Sequence, residues 1–428
     1  MAPSTAPALT AARLATDTVA IVEPHTAAYA ETLTQRGQQA VAVTLAPRLR
    51  PPAHQDTAAA AAYSACVKHS GGLRRTVKEL RARDVAAVLA GSEQGIELAE
   101  RIAWHLGVPG SNPQTTLLRR DRGAQADALT AAGLAAPRGQ RTASLAEAVA
   151  WAQSHEFPQY VLSPAAVGVP VDPVICRTVR EISTAWRELR RMTHHYSGDA
   201  SLVISEHVRG RRYTVNSITT RRWLDPVDQA PDHLITDIWS QTHTAAGLLD
   251  RADLMHRHDL LARRLSLYVV RALDALGIAS GPVSMLLACE PQRGPLLLSA
   301  SAVAGASLAD TALRETTGRD RLGEAIDSVL PARPAPLALA SHPQRVVRVR
   351  LNAAADGVID PWLLRTIATL PTVASIDTAL RPMAPVTTTT TSRAAVGEIV
   401  LSDDVPEAIE ADYRVIRAVE TAGLYQGR

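Results

Sequence analysis

Residues 202–218 read LVISEHVRGRRYTVNSI and contain two short apolar segments separated by a polar stretch centred on glycine. Leu202–Ser205 and Tyr213–Ile218 are rich in branched and aromatic residues, which favours strands. Arg209-Gly210-Arg211 lies between them and is typical of a turn, because glycine reaches backbone conformations that other residues avoid. The stretch therefore predicts a β-hairpin, and with it an antiparallel sheet in this part of the chain.

A second hairpin is predicted farther along the chain. Val283–Ala288 and Leu296–Leu298 are apolar segments on either side of the loop-forming residues 290–294, EPQRG. The apolar periodicity of Leu260–Asp274 predicts a long amphipathic helix. This order of elements predicts that residues 160–305 form one antiparallel sheet backed by helices.

The N-terminal part of the chain follows a different pattern. Three apolar segments predict buried strands, and stretches with helical periodicity lie between them, an order that is typical of a parallel sheet. Residues 46–62 are rich in proline and alanine and are predicted to form a loop that leads into a helix. The predicted strands are Thr18–Val22, Ala40–Leu45 and Val85–Leu89, and the predicted helices are His25–Arg36 and Leu73–Arg83.

Gly91-Ser92-Glu93 follows the third of these strands and precedes a helix predicted from Ile96 to Leu106, which Gly107 should end. We interpret Ser92 as the cap of this helix. A ligand site is the alternative, because strand ends in open parallel sheets form crevices.

Composition limits the classes of protein that the chain can belong to. Of its 428 residues 46% are hydrophobic, and 45 basic and 42 acidic residues leave a net charge of +3, which excludes a disordered chain and an electrostatic nucleic-acid binder. No apolar run reaches the roughly 18 residues of a membrane span, and no signal peptide is recognisable, so a cytoplasmic protein without a membrane partner is predicted. Cys66, Cys176 and Cys289 are too dispersed for a disulfide framework or a zinc site, and each is predicted to be a small buried residue.

Six segments follow one another along the chain: GSEQGIELAERIAWHLGVPGSNP (91–113), RRDRGAQADALTAAGLAAPR (119–138), YVLSPAAVGVPVDPVICRT (160–178), LVISEHVRGRRYTVN (202–216), GPVSMLL (281–287) and GPLLLSASAVAGA (294–306). In this order and spacing they resemble the ATP-grasp superfamily, and most specifically its L-amino acid ligases, which are carboxylate-amine ligases that join two amino acids. RVVRVRLNAAADGVID (345–360) and residues 394–425 are similar to the C-terminal domain of that branch. The resemblance therefore covers nearly the whole chain.

The resemblance implies an ATP-grasp fold that combines α/β and α+β architecture in three units. Residues 1–113 would form a Rossmann-like, parallel-sheet pre-ATP-grasp domain, residues 114–310 the ATP-grasp core, and residues 311–428 a C-terminal domain of the L-amino acid ligase type. The change from alternating strands and helices to hairpins near Asn112 agrees with the first boundary.

ATP-grasp ligases phosphorylate a carboxylate with ATP, and an amine then attacks the acyl phosphate, so cations must neutralise the phosphates throughout. The family uses two lysines for this purpose. Lys68 and Lys78 are the only lysines of this chain, which leaves 43 arginines among the 45 basic residues, and both precede the family positions. The resemblance places Arg122 at the first lysine position, where the charge is kept, and Ser163 at the second, where it is lost.

The nucleotide site implied by the resemblance has further differences. Residues 165–173, AAVGVPVDP, stand where the family has a glycine-rich phosphate loop, but two prolines and three valines stiffen the segment and remove N–H donors. Glu206 stands at the position of a glutamate that contacts adenosine, whereas Arg212 replaces a second glutamate. Glu206 is either an adenosine contact or a surface charge beside Arg209 or Arg211.

The resemblance also locates the metal site. It places the two acidic Mg²⁺ ligands at Leu286 and Ser299 and a neighbouring arginine at Val303. Between residues 281 and 309 the only acid is Glu290, at the tip of the predicted hairpin. Mg²⁺ needs carboxylate oxygens, so no metal site is predicted, and Leu286 and Val303 are interpreted as core residues.

Because these positions are substituted together, we expect an ATP-grasp protein that lacks ATP- and Mg²⁺-dependent carbon–nitrogen ligation and needs no cofactor. It would bind a small amino-acid-like ligand, act as the partner of an active ligase or catalyse an ATP-independent reaction. The alternative is an active ligase that uses ATP and Mg²⁺, in which Arg122, Arg209, Arg211 and Arg212 replace the lysines.

Overall fold

The structure is a computed structural model that describes residues 17–50, 58–221, 230–304, 307–330, 345–391 and 395–426. Within these ranges no helix combines the length and apolar character needed to cross a membrane. In the described part of the chain the strands form one eight-stranded sheet, two four-stranded sheets and one three-stranded sheet.

The N-terminal sheet has four parallel strands in the order β3-β2-β1-β4. β1 and β4 are apolar and buried along nearly their whole length, as expected for strands covered on both faces. The predicted parallel sheet is confirmed. Its elements are β1 (Thr18–Val22), α1 (Ala28–Gln35), β2 (Gln39–Leu45), β3 (Ala65–His69), α2 (Leu73–Arg81), β4 (Val85–Ala90) and α3 (Ile96–Leu106).

The edge strand β3 was not predicted from the sequence. In this strand Val67 and His69 are buried whereas Cys66 and Lys68 are exposed, and five alternating residues after an alanine-rich stretch give a weak signal. The prediction that every cysteine is buried is therefore wrong for Cys66. Cys176 is buried and Cys289 is half-buried, and all three are free thiols.

A second four-stranded sheet is antiparallel and has the strand order β5-β8-β6-β7. Helices α6 and α7 pack on it through a core that includes Trp151 and Trp186. This unit contains α4 (Leu117–Arg120), α5 (Arg122–Ala131), β5 (Gly139–Thr142), α6 (Leu145–His155), β6 (Tyr160–Pro164), β7 (Val174–Cys176), α7 (Val179–Ser197) and β8 (Leu202–Glu206).

The central sheet has eight antiparallel strands in the order β13-β12-β9-β10-β11-β14-β18-β16. The predicted hairpin around residues 290–294 is confirmed as β12–β13, and the predicted long helix is α8. The elements before residue 311 are β9 (Arg211–Thr220), β10 (Asp232–His243), β11 (Leu249–Leu254), α8 (Leu260–Ala275), β12 (Gly281–Glu290) and β13 (Gly294–Ser301).

The C-terminal residues extend the central sheet and add a small three-stranded one, β17-β15-β19. Because β14, β18 and β16 continue the sheet of the predicted core, the division into three domains stays a prediction. The elements are α9 (Asp310–Thr317), α10 (Arg321–Asp327), β14 (Arg345–Leu351), β15 (Gly357–Ile359), α11 (Pro361–Ala368), β16 (Val373–Ile376), β17 (Pro385–Val386), β18 (Gly397–Asp403), α12 (Pro406–Thr421) and β19 (Tyr425–Gln426).

The hairpin predicted from residues 202–218 is wrong. β8 pairs with β5 and β6, whereas β9 pairs with β10 and β12, so the two strands belong to different sheets. Gly210 lies between them against β12, where a Cβ atom would be 2.2 Å from the carbonyl oxygen of Cys289. The glycine thus permits a close crossing between sheets, and residues 160–305 form two antiparallel sheets instead of one.

A buried ion pair joins the N-terminal sheet to the rest of the molecule. Arg119, 1% exposed, donates from Nη2 to Glu100 on α3 at 3.0 Å and from Nη1 to the carbonyl of Leu276 after α8 at 3.1 Å. Its Nη2 also donates to the carbonyl of Asn112 at 2.6 Å. A cation this deeply buried requires such complete hydrogen bonding, so the three segments are held together at one point.

Candidate functional site

A cavity of about 400 Å³ lies between the N-terminal sheet and the central sheet. The loops that follow β1 and β4 form one wall, which agrees with the expectation that ligands bind at the carboxyl ends of parallel strands. The other walls come from the starts of α5 and of the segment after β6, and from β9, β12 and β13. The lining residues are His25, Thr26, Tyr29, Gly91, Ser92, Glu93, Arg122, Val167, Gly168, Thr214, Ser284, Leu286, Ser299, Ser301, Val303 and Ala304.

Four of the six site positions singled out in the sequence line this cavity: Arg122, Leu286, Ser299 and Val303. Two lie elsewhere. Ser163 is buried in β6, at 5% exposure, and Glu206 is buried at the end of β8. The fold therefore brings together side chains that are up to 181 positions apart in the sequence, since Arg122 and Val303 line the same cavity.

Arg122 uses its side chain to hold the segment that follows β6. Its Nη1 donates to the carbonyl oxygens of Pro164 at 2.7 Å and of Ala166 at 2.9 Å. Its backbone N–H donates to the carbonyl of Ala165 at 2.8 Å. Nη1 thus directs both of its N–H groups at backbone carbonyls on the cavity edge.

In the segment 165–171 the backbone N–H groups of Ala165, Val167 and Val171 are bonded within the protein. The N–H of Val167 donates to the carbonyl of Arg120 at 2.8 Å, and the N–H of Ala165 donates to that of Ser201 at 3.0 Å. Asp121 and Ala166 form an isolated antiparallel bridge. A phosphate-binding loop presents free N–H groups toward its ligand, and these three N–H groups are already bonded.

Gly168 lies directly against the side chain of Glu93 on the opposite wall of the cavity. Its φ is +75°, and a Cβ atom placed on it would lie 2.4 Å from Cγ of Glu93. Glu93 also accepts a hydrogen bond from Ser301 Oγ at 3.3 Å. The Glu93 side chain therefore spans from the N-terminal sheet to both opposite walls.

The two positions assigned to metal ligands are neighbours. Leu286 on β12 lies opposite Ser299 on β13 in the hairpin register, and both line the cavity. Val303 is 9% exposed and packs in a core cluster of the N-terminal sheet, which confirms its interpretation as a core residue. Leu286 is half-buried at the cavity wall, so its interpretation as a core residue is wrong.

ATP with Mg²⁺ is the cofactor that the resemblance implies, and the side chains at these positions do not fit the metal. In the described ranges no group of three or more His, Cys, Asp and Glu side chains is arranged to hold an ion. Leu286 offers no donor atom, and Ser299 offers a neutral hydroxyl where Mg²⁺ prefers carboxylate oxygens.

Glu93 had no predicted role, and the prediction that Ser92 caps a helix through its side chain is wrong. Ser92 makes no side-chain capping hydrogen bond, and its buried Oγ has no partner among the described residues. The position of Gly91-Ser92-Glu93 directly after β4 was the available signal, because strand ends of parallel sheets form ligand crevices. Ser92 therefore fits the alternative that we considered, a ligand site at this strand end.

No protein-family model matches the chain. Dapdiamide A synthase from Enterobacter agglomerans is 20% identical over 269 residues, which cover 62% of this chain and 61% of the synthase, so the match spans about three fifths of that relative's length. The L-amino acid ligase from Bacillus licheniformis superposes with a TM-score of 0.72 at 16% identity, over 94% of this chain and 97% of the ligase. Carboxyaminoimidazole ribonucleotide synthase from Aspergillus clavatus, complexed with ATP, gives a TM-score of 0.68 at 13% identity, over 95% and 99% of the two chains.

This chain has the ATP-grasp fold. The neighbours of known structure are carboxylate-amine ligases of that superfamily, and the fold resembles theirs along nearly the whole chain. At these identities the likeness shows the fold, so the chemistry has to be argued from the side chains of the cleft.

Glu206, at the end of β8, is bound by two arginines of the protein itself. Its carboxylate accepts hydrogen bonds from the backbone N–H of Arg138 at 2.8 Å, from Nη2 of Arg138 at 3.2 Å and from Nη1 of Arg293 at 2.6 Å. The alternative that Glu206 is a surface charge beside Arg209 or Arg211 is wrong, because the side chain is buried and its partners are Arg138 and Arg293. The adenosine contact stays a prediction. Burial raises the pKa of Glu206, but the hydrogen bonds from Arg293 and Arg138 outweigh burial and hold the pKa below its ordinary value.

We expect Glu206→Gln to lower the free energy of unfolding by about 1–2 kcal/mol at pH 7, because a charge-assisted pair is lost from a buried position whose arginines are partly solvent-screened. A carboxyl whose folded pKa is depressed stabilises above its unfolded pKa, about 4.5 here, and loses that contribution as the pH falls through the folded pKa. Urea unfolding between neutral and acidic pH should therefore show the two curves converging below about pH 4.

Glu188→Gln is the matched control, since Glu188 pairs with Arg191 on the exposed face of α7. We expect it to change stability far less than Glu206→Gln does, at any pH, because solvent screens an exposed ion pair. A Glu206→Gln effect as small as this control would contradict the buried network.

We expect Gly168→Ala to destabilise the protein more than Gly133→Ala. Both glycines have positive φ, +75° and +69°, so both substitutions carry the cost of about 1–2 kcal/mol for a left-handed residue with a Cβ. Only Gly168 also meets the Glu93 side chain, whereas Gly133 has nothing within 4 Å. Urea unfolding of both variants measures the difference, expected at about 1 kcal/mol or more; equal losses would mean that Glu93 moves aside freely.

Proposed function

We propose that this protein uses the ATP-grasp fold to bind a small amino-acid-like ligand in the cleft between its sheets, without ATP- and Mg²⁺-dependent ligation. The observation that carries the proposal is the engagement of Arg122 with the carbonyls of Pro164 and Ala166. It is the cation at a lysine position of the family, and its Nη1 donates to two carbonyls of the protein's own backbone. No cofactor is required on this proposal.

The surrounding positions support the same proposal. The second lysine position holds Ser163, a buried neutral residue, and the metal positions hold Leu286 and Ser299. Phosphoryl transfer depends almost entirely on positive charge and positioning around the phosphates. A bound metal ion stabilises the transition state of such a reaction by an amount on the order of several kcal/mol, and its loss removes that contribution. Each loss of about 1.4 kcal/mol slows the reaction about tenfold.

The cavity retains groups that suit an amino-acid-like ligand. Glu93 is the acid among its lining residues, and a carboxylate is the natural partner of an ammonium group. Hydroxyl groups of Ser92, Thr214, Ser284, Ser299 and Ser301 surround it and can donate to or accept from polar atoms of a ligand. A volume of about 400 Å³ is within the range of small-molecule sites.

A cytoplasmic location and an active ligase as partner are predictions that belong to this proposal. Free thiols at Cys66, Cys176 and Cys289 agree with a reducing compartment.

We expect no amino-acid-dependent release of ADP or phosphate when the purified protein is mixed with ATP, Mg²⁺ and pools of amino acids. The L-amino acid ligase from Bacillus licheniformis, assayed in parallel, is the positive control. Robust turnover at ordinary enzyme concentration would establish the alternative, an active ligase whose arginines replace the lysines.

A restored variant sharpens the assay. Ser163→Lys, Leu286→Glu and Ser299→Glu combined should bind Mg²⁺, because the last two changes place carboxylates on facing positions of β12 and β13. Ser163→Lys alone, which adds no metal ligand, is the control and should not bind it. We expect Mg²⁺ binding to return before turnover, since the bonded segment 165–171 is unchanged; turnover in the unmodified protein would make the restoration unnecessary and contradict the proposal.

A further inference from the structure

A second cavity, of about 350 Å³, lies at the adjoining ends of β9 and β10. Arg212 and Thr214 are two residues apart on β9 and therefore face the same side of the sheet. Thr214 lines the first cavity, and its Oγ1 accepts a hydrogen bond at 2.9 Å from Nε2 of Gln241, which lines the second. The two cavities are thus neighbours. The second is lined by Gly210, Arg211, Arg212, Gln241, Thr242, His243 and Gly247.

Arg212 is the unusual member of this lining. It is half-buried, yet among the described residues no carboxylate oxygen lies within 4.0 Å of its guanidinium nitrogens, the limit for an ion pair. Burial lowers the pKa of Arg212, and the charge of Asp172 opposes this shift without cancelling it. Such a half-buried cation without a hydrogen-bonded counter-charge is only partly solvated, so the position favours a negative group from outside the chain.

The groups around Arg212 add positive charge. Arg209 and Arg211 are both exposed; Arg209 lies just before β9 and Arg211 is its first residue. Burial lowers the pKa of His207 and of His243, and the charge of Arg212 lowers both further. The buried Nδ1 of His207 has no partner among the described residues.

Besides Asp172, two acids act on the histidines of this group, and both are engaged elsewhere. Glu290 accepts from Arg293 Nε at 2.6 Å and from the N–H of Arg209 at 3.2 Å. Asp250 accepts from the hydroxyl of Tyr413 at 2.6 Å and pairs with Arg417. Neither carboxylate is placed to neutralise Arg212.

We propose that this cavity binds an oxyanion, the carboxylate or phosphate group of a small ligand, with Arg212 as its principal contact. Arg211, the Thr242 hydroxyl and the Gln241 side chain line the same space and complete a set of donors suited to such a group. The inference goes beyond the proposed function, because it concerns a separate cavity and holds whether or not the first one supports ligation.

The experiment titrates the full-length protein with inorganic phosphate and, separately, with succinate, at constant ionic strength set by sodium chloride. Calorimetry measures affinity, and thermal unfolding measures the shift in melting temperature that a bound ligand produces. The two probes distinguish a phosphate from a carboxylate. The variants are Arg212→Gln, which removes the charge, Arg212→Lys, which keeps it, and Arg190→Gln, a matched control on the exposed face of α7.

We expect at least one probe to bind with a dissociation constant below about 10 mM and to raise the melting temperature saturably. Arg212→Gln should weaken this binding by about tenfold or more, while leaving the melting temperature of the ligand-free protein unchanged or higher, because an uncompensated cation is removed. Arg212→Lys should retain most of the affinity, and Arg190→Gln should match the unmodified protein.

Three results would overturn the inference. They are no saturable binding of either probe, equal binding by Arg212→Gln and the unmodified protein, and a large fall in the melting temperature of ligand-free Arg212→Gln. The last result would show that Arg212 serves the fold through the protein's own groups. An ATP turnover assay does not bear on any of them, so failure here and failure of the proposed function are distinguishable.

Discussion

The ion pair between Arg119 and Glu100 is the constraint from which the arrangement of the cleft follows. Both side chains are buried, and Arg119 also bonds the carbonyls of Asn112 and Leu276. Removal of one partner from such a pair leaves a buried charge and costs about 3–5 kcal/mol, so the contact resists separation of the parts it joins. It fixes α3, the segment before α5 and the end of α8 relative to one another, and Glu93 and Arg122 therefore meet at one cavity.

The position of Arg122 then determines what the cleft can do. The residue begins α5 three positions after Arg119, and from there its guanidinium reaches the carbonyls of Pro164 and Ala166. Both carbonyls accept from the same nitrogen, Nη1, so one end of the guanidinium holds the segment that follows β6.

Local patterns in the sequence predicted most of the elements but not their partners. The buried strands β1, β2 and β4 were predictable because their apolar residues are bounded by polar ones. The resemblance predicted the fold of the segments that follow them. The pairing of β8 with β5 and β6 was not predictable from residues 202–218, since it is fixed by contacts with distant residues. Glu206, for example, is held by Arg138 and Arg293, which lie 68 and 87 positions away.

The candidate site shows the same limit. Arg122, Leu286, Ser299 and Val303 were located by resemblance, and the fold gathers them in one cavity. Glu93 and Ser301 were not, because their importance arises from a contact between two sheets that share no local pattern. The meaning of Arg122 also required the structure, because a sequence specifies the charge of a side chain and not the atoms to which it donates.

Calorimetric titration of the unmodified protein with ATP and with adenosine, each with and without Mg²⁺, tests the central claim most directly. If the phosphate and metal positions are substituted as described, ATP should bind weakly and Mg²⁺ should leave its affinity nearly unchanged, as for adenosine, because a ligand group without differential contacts adds no affinity. A gain in ATP affinity of about tenfold or more on addition of Mg²⁺, a difference of about 1.4 kcal/mol, would show a functional phosphate and metal site and contradict the account.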